Sequence, residues 1–176
     1  MKAIAKGNVM PNMGRSFFGA SQTAGTILAN TIVVNRGDAV KTSTGFLTNA
    51  SITTGAIAGI VEAVVDINGI FINPDSGKTD VWTMASDNQT VAKNRAIIDE
   101  SPFTIYSFLI DAAPGTTTGS NLRNYYVNFT DSTQLSESSA LSTGLVIRLL
   151  GADPDAPTTR VLGTINYSET RRTVGS

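Results

Sequence analysis

Turn-forming residues punctuate this chain so often that few windows are long enough for a helix. Asn35-Arg36-Gly37-Asp38, Ser43-Thr44-Gly45, Asn68-Gly69, Asn73-Pro74-Asp75-Ser76-Gly77, Asp87-Asn88-Gln89 and Asp153-Pro154-Asp155-Ala156-Pro157 divide it into short β-prone runs. The runs recur roughly every 8 to 12 residues, the spacing of an antiparallel sandwich or barrel. They include Thr31-Ile32-Val33-Val34, Ala39-Val40-Lys41, Phe46-Leu47-Thr48, Val81-Trp82-Thr83-Met84-Ala85, Tyr125 to Thr130, Leu145 to Leu150 and Arg160 to Tyr167. Residues 56–66, AIAGIVEAVVD, read as a buried strand rather than a short helix, because Gly59 and the Ile/Val enrichment favour extended backbone. Asn68-Gly69 between Val64-Val65 and Ile70-Phe71-Ile72 is the strongest short-range hairpin signal in the chain. Val91 to Ile98 fits a charged strand or a turn or two of helix, and Phe103 to Ile110 fits a strand that enters the core. About nine or ten strands result, and the fold class expected is all-β: a single antiparallel β-barrel or sandwich domain with an extended N-terminal arm.

Composition supports that reading. The 176 residues hold 16 Gly, 23 Thr, 16 Ser and 13 Asn, while charged residues make up 15%. Typical domains carry about 25% charge, and helix surfaces are usually clothed in Glu, Lys, Gln and Arg. Small polar residues suit strands and turns instead. Residues 26–168 form the expected β-rich domain, residues 1–25 an extended arm without sustained period, and residues 169–176 a polar tail.

Function classes fall away on the same counts. With 0 His and 0 Cys, the chain cannot build a Ser-His-Asp triad, a Cys-His pair, a haem ligand set or an ordinary zinc site. The one adjacent acid pair, Asp99-Glu100, points to opposite faces if it lies on a strand and cannot serve one bond. Gly77-Lys78-Thr79 lacks the earlier glycine of a phosphate loop, because Ile72 stands there. Arg36-Gly37-Asp38 is ordinary turn chemistry before it is an adhesive tripeptide, and Asp153 with Asp155 in a Pro-stiffened turn is a thin calcium signal. No enzymatic role, cofactor or metal is expected. A net charge of −1 gives little counterion release, so no nucleic acid is expected as partner. No apolar run approaches the ~18 residues of a membrane span, and the stretch from Lys6 to Arg15 offers no apolar core for a secretory signal.

Binding residues are then sought among exposed aromatics and cations. Phe17-Phe18 on the arm, with Lys2, Lys6 and Arg15 nearby, fits an anchoring segment. The consecutive pair Tyr125-Tyr126 must send one ring outward on a strand, and Tyr125 is a candidate contact. Trp82, Phe103, Tyr106, Phe108 and Phe129 are expected to be mainly core.

Arg36-Gly37-Asp38-Ala39-Val40-Lys41, a short turn, Phe46-Leu47-Thr48-Asn49-Ala50 and Ala58-Gly59-Ile60-Val61-Glu62-Ala63 together resemble the opening of tailed-bacteriophage head decoration proteins, also called capsid cement proteins. The portion from Val91 through Phe103 to Ile110, the Asp111 to Asn124 loop, Leu145 to Leu150 and Arg160 to Tyr167 is similar to the second half of that group. The resemblance spans roughly residues 26–168 and carries no catalytic signature. It implies a non-enzymatic protein on the outer capsid surface of the virion, often a homotrimer, that clamps neighbouring copies of the major capsid protein and stabilises the shell. A tail, fibre or head-spike component engaged in host attachment is the alternative.

Overall fold

The computed structural model describes residues 9–11, 26–51, 57–75, 80–114, 122–140 and 146–166. Thirteen strands are present among them: β1 (Val9–Pro11), β2 (Thr26–Ile27), β3 (Val33–Asn35), β4 (Ala39–Ser43), β5 (Phe46–Asn49), β6 (Gly59–Val65), β7 (Val81–Thr83), β8 (Arg95–Asp99), β9 (Tyr106–Ile110), β10 (Tyr126–Val127), β11 (Gln134–Leu135), β12 (Ile147–Ala152) and β13 (Arg160–Ile165). Helical backbone among the described residues amounts to a π-type turn at Asn88–Ala92 and a 3₁₀ turn at Glu137–Ser139. The protein is all-β.

One sheet runs β2-β8-β6-β4-β5, with every neighbouring pair antiparallel. Its two edges meet. Leu28, just beyond β2, bridges Leu47 of β5, and the Ala29 N–H donates to the Leu47 carbonyl at 2.8 Å. The sheet therefore curls into a small, partly closed barrel, which removes the unpaired edges that invite aggregation. Val40, Leu47, Val61, Val64, Ala96 and Ile98 fill its interior together with Leu28, and Val34, Trp82 and Met84 of the β3–β7 pair join the same core. A bulge between Val61 and Ala63 lets Val61 and Val64 share this interior, which strict alternation would forbid.

The second sheet runs β1-β9-β13-β12-β10, with β11 pairing in parallel with the end of β9. Its inward residues Tyr106, Phe108, Val127, Ile147, Leu149, Val161 and Ile165 build the larger core, to which Ala39 and Ile60 on the outside of the barrel sheet contribute. Phe108 stands at its centre, with ring centroids 5.7 Å from Tyr106 and 5.9 Å from Phe129. The two sheets are also tied through backbone: the Ala39 N–H donates to the Ser132 carbonyl at 2.9 Å.

Two sequence expectations are refined. Residues Val9–Pro11 of the expected arm pair antiparallel with Phe108, Ser107 and Tyr106 as an edge strand, a position where proline is tolerated. Phe103 is not part of the strand expected from Phe103 to Ile110, because β9 starts at Tyr106. A tight turn precedes it: Asp99 Oδ1 accepts from the Ser101 N–H and Asp99 Oδ2 from the Thr104 hydroxyl, both at 2.9 Å. That turn swings Phe103 into solvent, 82% exposed.

The Asn68-Gly69 hairpin forms as expected. Gly69 takes φ +81°, Phe71 bridges Val65, and the Ile72 N–H donates to the Val64 carbonyl at 2.9 Å. A side chain at Gly69 would be strained in that left-handed conformation.

Candidate interaction surface

Alternation in the second sheet places Arg148 and Leu150 of β12, Thr164 of β13 and Tyr126 of β10 on the face turned away from the core. Phe103 and Ile105, from the connection between β8 and β9, wall the same side. Together they shape a groove of about 730 Å³. The register between β12 and β13 shifts between Leu149 and Gly151, so Leu150 is the extra residue of a bulge and reaches the groove instead of a ladder partner. Arg148 is exposed and donates from Nη2 to Asn124 Oδ1 at 3.0 Å, which leaves further guanidinium donors available to a ligand.

The other end of this face is sealed by polar groups. Arg160 Nε donates to Ser107 Oγ at 2.8 Å and Nη2 to the Ser107 carbonyl at 2.7 Å, while the Ser107 hydroxyl donates to Asp153 Oδ2. Ser107 and Asp153 are buried, so each needs these partners. Burial lowers the Arg160 pKa from its ordinary value, and the Asp153 carboxylate works against that shift. Asp153 Oδ1 accepts from the Asp155 N–H at 3.0 Å. Both Asp153 oxygens thus serve the fold, and among the described residues no group of three or more His, Cys, Asp or Glu side chains is placed to hold a metal.

A second buried acid lies in the Asn35–Asp38 turn. Asp38 Oδ2 accepts from the Asn35 N–H and from Asn35 Nδ2, both at 2.9 Å, whereas Oδ1 is buried without a hydrogen-bond partner among the described residues. Burial pushes the Asp38 carboxyl up, the Asn35 bonds pull it down, and the negative charge of Asp131 adds to the rise. Because Asp38 is fully buried, the Arg36-Gly37-Asp38 tripeptide does not present its carboxylate outward.

Of the sequence-derived contact residues, Lys2, Lys6, Arg15, Phe17 and Phe18 lie outside the described residues, as does Gly77-Lys78-Thr79. Tyr125 is half-buried and packs against the larger core, so within the tyrosine pair the groove residue is Tyr126. Phe103, Ile105, Arg148 and Leu150 were missed as surface residues. Pro102 before Phe103 and Gly151 after Leu150 are the signals that could have found them, since each marks a break in strand geometry.

No family model, no curated protein and no solved structure matches this chain.

Proposed function

We propose that the protein is a structural component of a bacteriophage virion that binds the outer surface of the capsid and clamps neighbouring major capsid subunits. The observation that carries this reading is the outward groove: an apolar cleft with one exposed cation, on an all-β scaffold whose Ser107, Asp153 and Arg160 side chains are hydrogen-bonded within the fold. Such a surface offers contact area to a partner. The sequence resemblance to decoration proteins supplies the partner. The Thr/Ser/Asn-rich, charge-poor composition favours hydrogen-bonded and water-bridged contacts that vary little with ionic strength. A contact made only with the assembled shell stabilises it by mass action, at each of many equivalent positions.

The test is shell stability. Mature shells stripped of the protein are heated or diluted in low salt with and without added pure chain. Saturable protection against release of capsid subunits is expected, and protection should weaken when Phe103→Ser and Leu150→Ser are introduced. Shells that dissociate identically with and without the chain would reject the reading and redirect attention to a tail, fibre or spike position.

A further inference from the structure

The same molecule carries a rigid apolar projection as well as an apolar groove. In the hairpin after β6, Ile67, Ile70 and Phe71 are 47%, 63% and 68% exposed. Apolar side chains clustered on one exposed turn mark an interaction site more often than chance surface. The turn is also held rigidly. Asp66 Oδ1 accepts from the Asn68 and Ile70 N–H groups, both at 2.8 Å, and the Asp66 N–H donates to the Ile70 carbonyl at 2.9 Å. A preformed knob avoids most of the ordering entropy that binding a flexible loop would cost.

Knob and groove lie at opposite ends of one strand pair. Val65, from which the hairpin projects, pairs with Arg95 at the start of β8, while Ile60 pairs with Asp99 at its end, and the turn bearing Phe103 follows Asp99. The strand between them, Arg95 to Asp99, runs about 13 Å at about 3.3 Å per residue, and the knob is tied into its own turn. One copy therefore cannot fill its own groove, whereas a second copy can. The charges agree with that docking: Asp66 anchors the knob and Arg148 is exposed in the groove.

We infer that copies of this chain associate head to tail, with the Ile67–Phe71 knob of one seated in the groove bounded by Phe103, Ile105, Leu150 and Arg148 of the next. Because the two patches differ, the contact is heterologous and closes as a ring or continues as a filament according to its rotation. The capsid contact proposed above draws on the same groove, so the two compete for it; association is measured on the free chain without shells, and its failure would leave the groove open to the capsid.

The chain has 0 Cys, which permits a direct test on the full-length protein. Sedimentation equilibrium should show a concentration-dependent oligomer, and Phe71→Ser or Phe103→Ser should each weaken association at least tenfold. Both residues are exposed, so unchanged urea midpoints would confirm that the variants fold. Under mild oxidation, a chain carrying both Ile70→Cys and Phe103→Cys should form covalent oligomers, and an equimolar mixture of the two single variants should form a mixed dimer. Neither single variant should cross-link by itself. A monomer at every concentration, an oligomer indifferent to both serine variants, a disulfide within one chain, or a dimer formed by either single-cysteine variant would overturn the inference.

Discussion

Gly59→Ala should destabilise the protein through one contact that cannot relax cheaply. Gly59 opens β6 between β4 and β8, and a Cβ at that position would sit 2.7 Å from the Asp99 carbonyl oxygen, with the Asp99 carbonyl carbon and Ile98 Cβ both at 3.2 Å. Ordinary contact begins near 3.4 Å, so the carbonyl would have to retreat by about 0.7 Å. It belongs to the backbone of β8, whose next residues are held by the Asp99 carboxylate turn, so the retreat would strain both the ladder and the turn. Overpacking of this kind costs about 1–3 kcal/mol, while alanine's smaller unfolded-state entropy offsets about 0.4–1 kcal/mol. The net expectation is a loss of about 1–2 kcal/mol, or about 2–8 °C in Tm for a domain of this size. Urea unfolding followed through the single tryptophan, Trp82, which is 4% exposed, reports it directly. Gly163→Ala supplies the comparison. Its Cβ would sit 2.8 Å from Ile147 Cγ2, a methyl fixed on a buried β-branched residue, and 3.1 Å from the Arg148 carbonyl oxygen, so a loss of similar size is expected. A neutral result at either glycine would refute the packing argument.

Ser107→Ala removes the hydroxyl that links Arg160 to Asp153 and takes that donor from the buried Asp153 carboxylate; a loss of about 1–3 kcal/mol is expected in urea unfolding, and a neutral result would show that the linkage is dispensable. Burial raises the Asp38 carboxyl above its ordinary 3.8, so between that value and its folded pKa the native state holds a proton that the unfolded chain has released. Through that window stability should fall as pH rises, and Asp38→Asn should flatten the slope in urea midpoints measured from pH 3.8 to neutrality. Trp82→Phe deletes the indole donor that meets the Ile72 carbonyl at 2.9 Å and should cost about 1 kcal/mol or more in thermal unfolding, with no loss of the β signature in circular dichroism.

Much of the fold can be read locally because its strands are announced by turn chemistry. Asn68-Gly69 marks a hairpin because Gly69 takes the left-handed backbone the turn needs, and the Ile/Val run around Gly59 forms β6 as expected. Closure of the barrel sheet has no such local mark. It depends on Leu28 meeting Leu47 across 19 positions of sequence, a tertiary choice that neither segment encodes by its own period. The same holds for β1: Val9–Pro11 shows no strand alternation and is extended because β9 offers an open edge. The groove was hidden for another reason. Phe103 looks like the first core residue of a strand until the Asp99 hydrogen bonds turn it outward, and Leu150 looks like ladder until the bulge expels it. Side-chain direction is set at one site by a hydrogen-bonded turn and at the other by a one-residue bulge, and hydrophobic patterning registers neither.

Capsid binding is tested most directly by co-sedimentation of the pure chain with mature shells that lack it. The full-length chain should bind saturably, at a stoichiometry that matches the symmetry of the shell. A version that starts at residue 9 keeps β1 on its edge and asks whether Lys2 and Lys6 contribute, and Phe17→Ser with Phe18→Ser asks the same of the aromatic pair. Weaker binding by these variants, with unchanged unfolding midpoints, is expected. A well-folded chain that stays in the supernatant at every shell concentration would contradict the capsid reading.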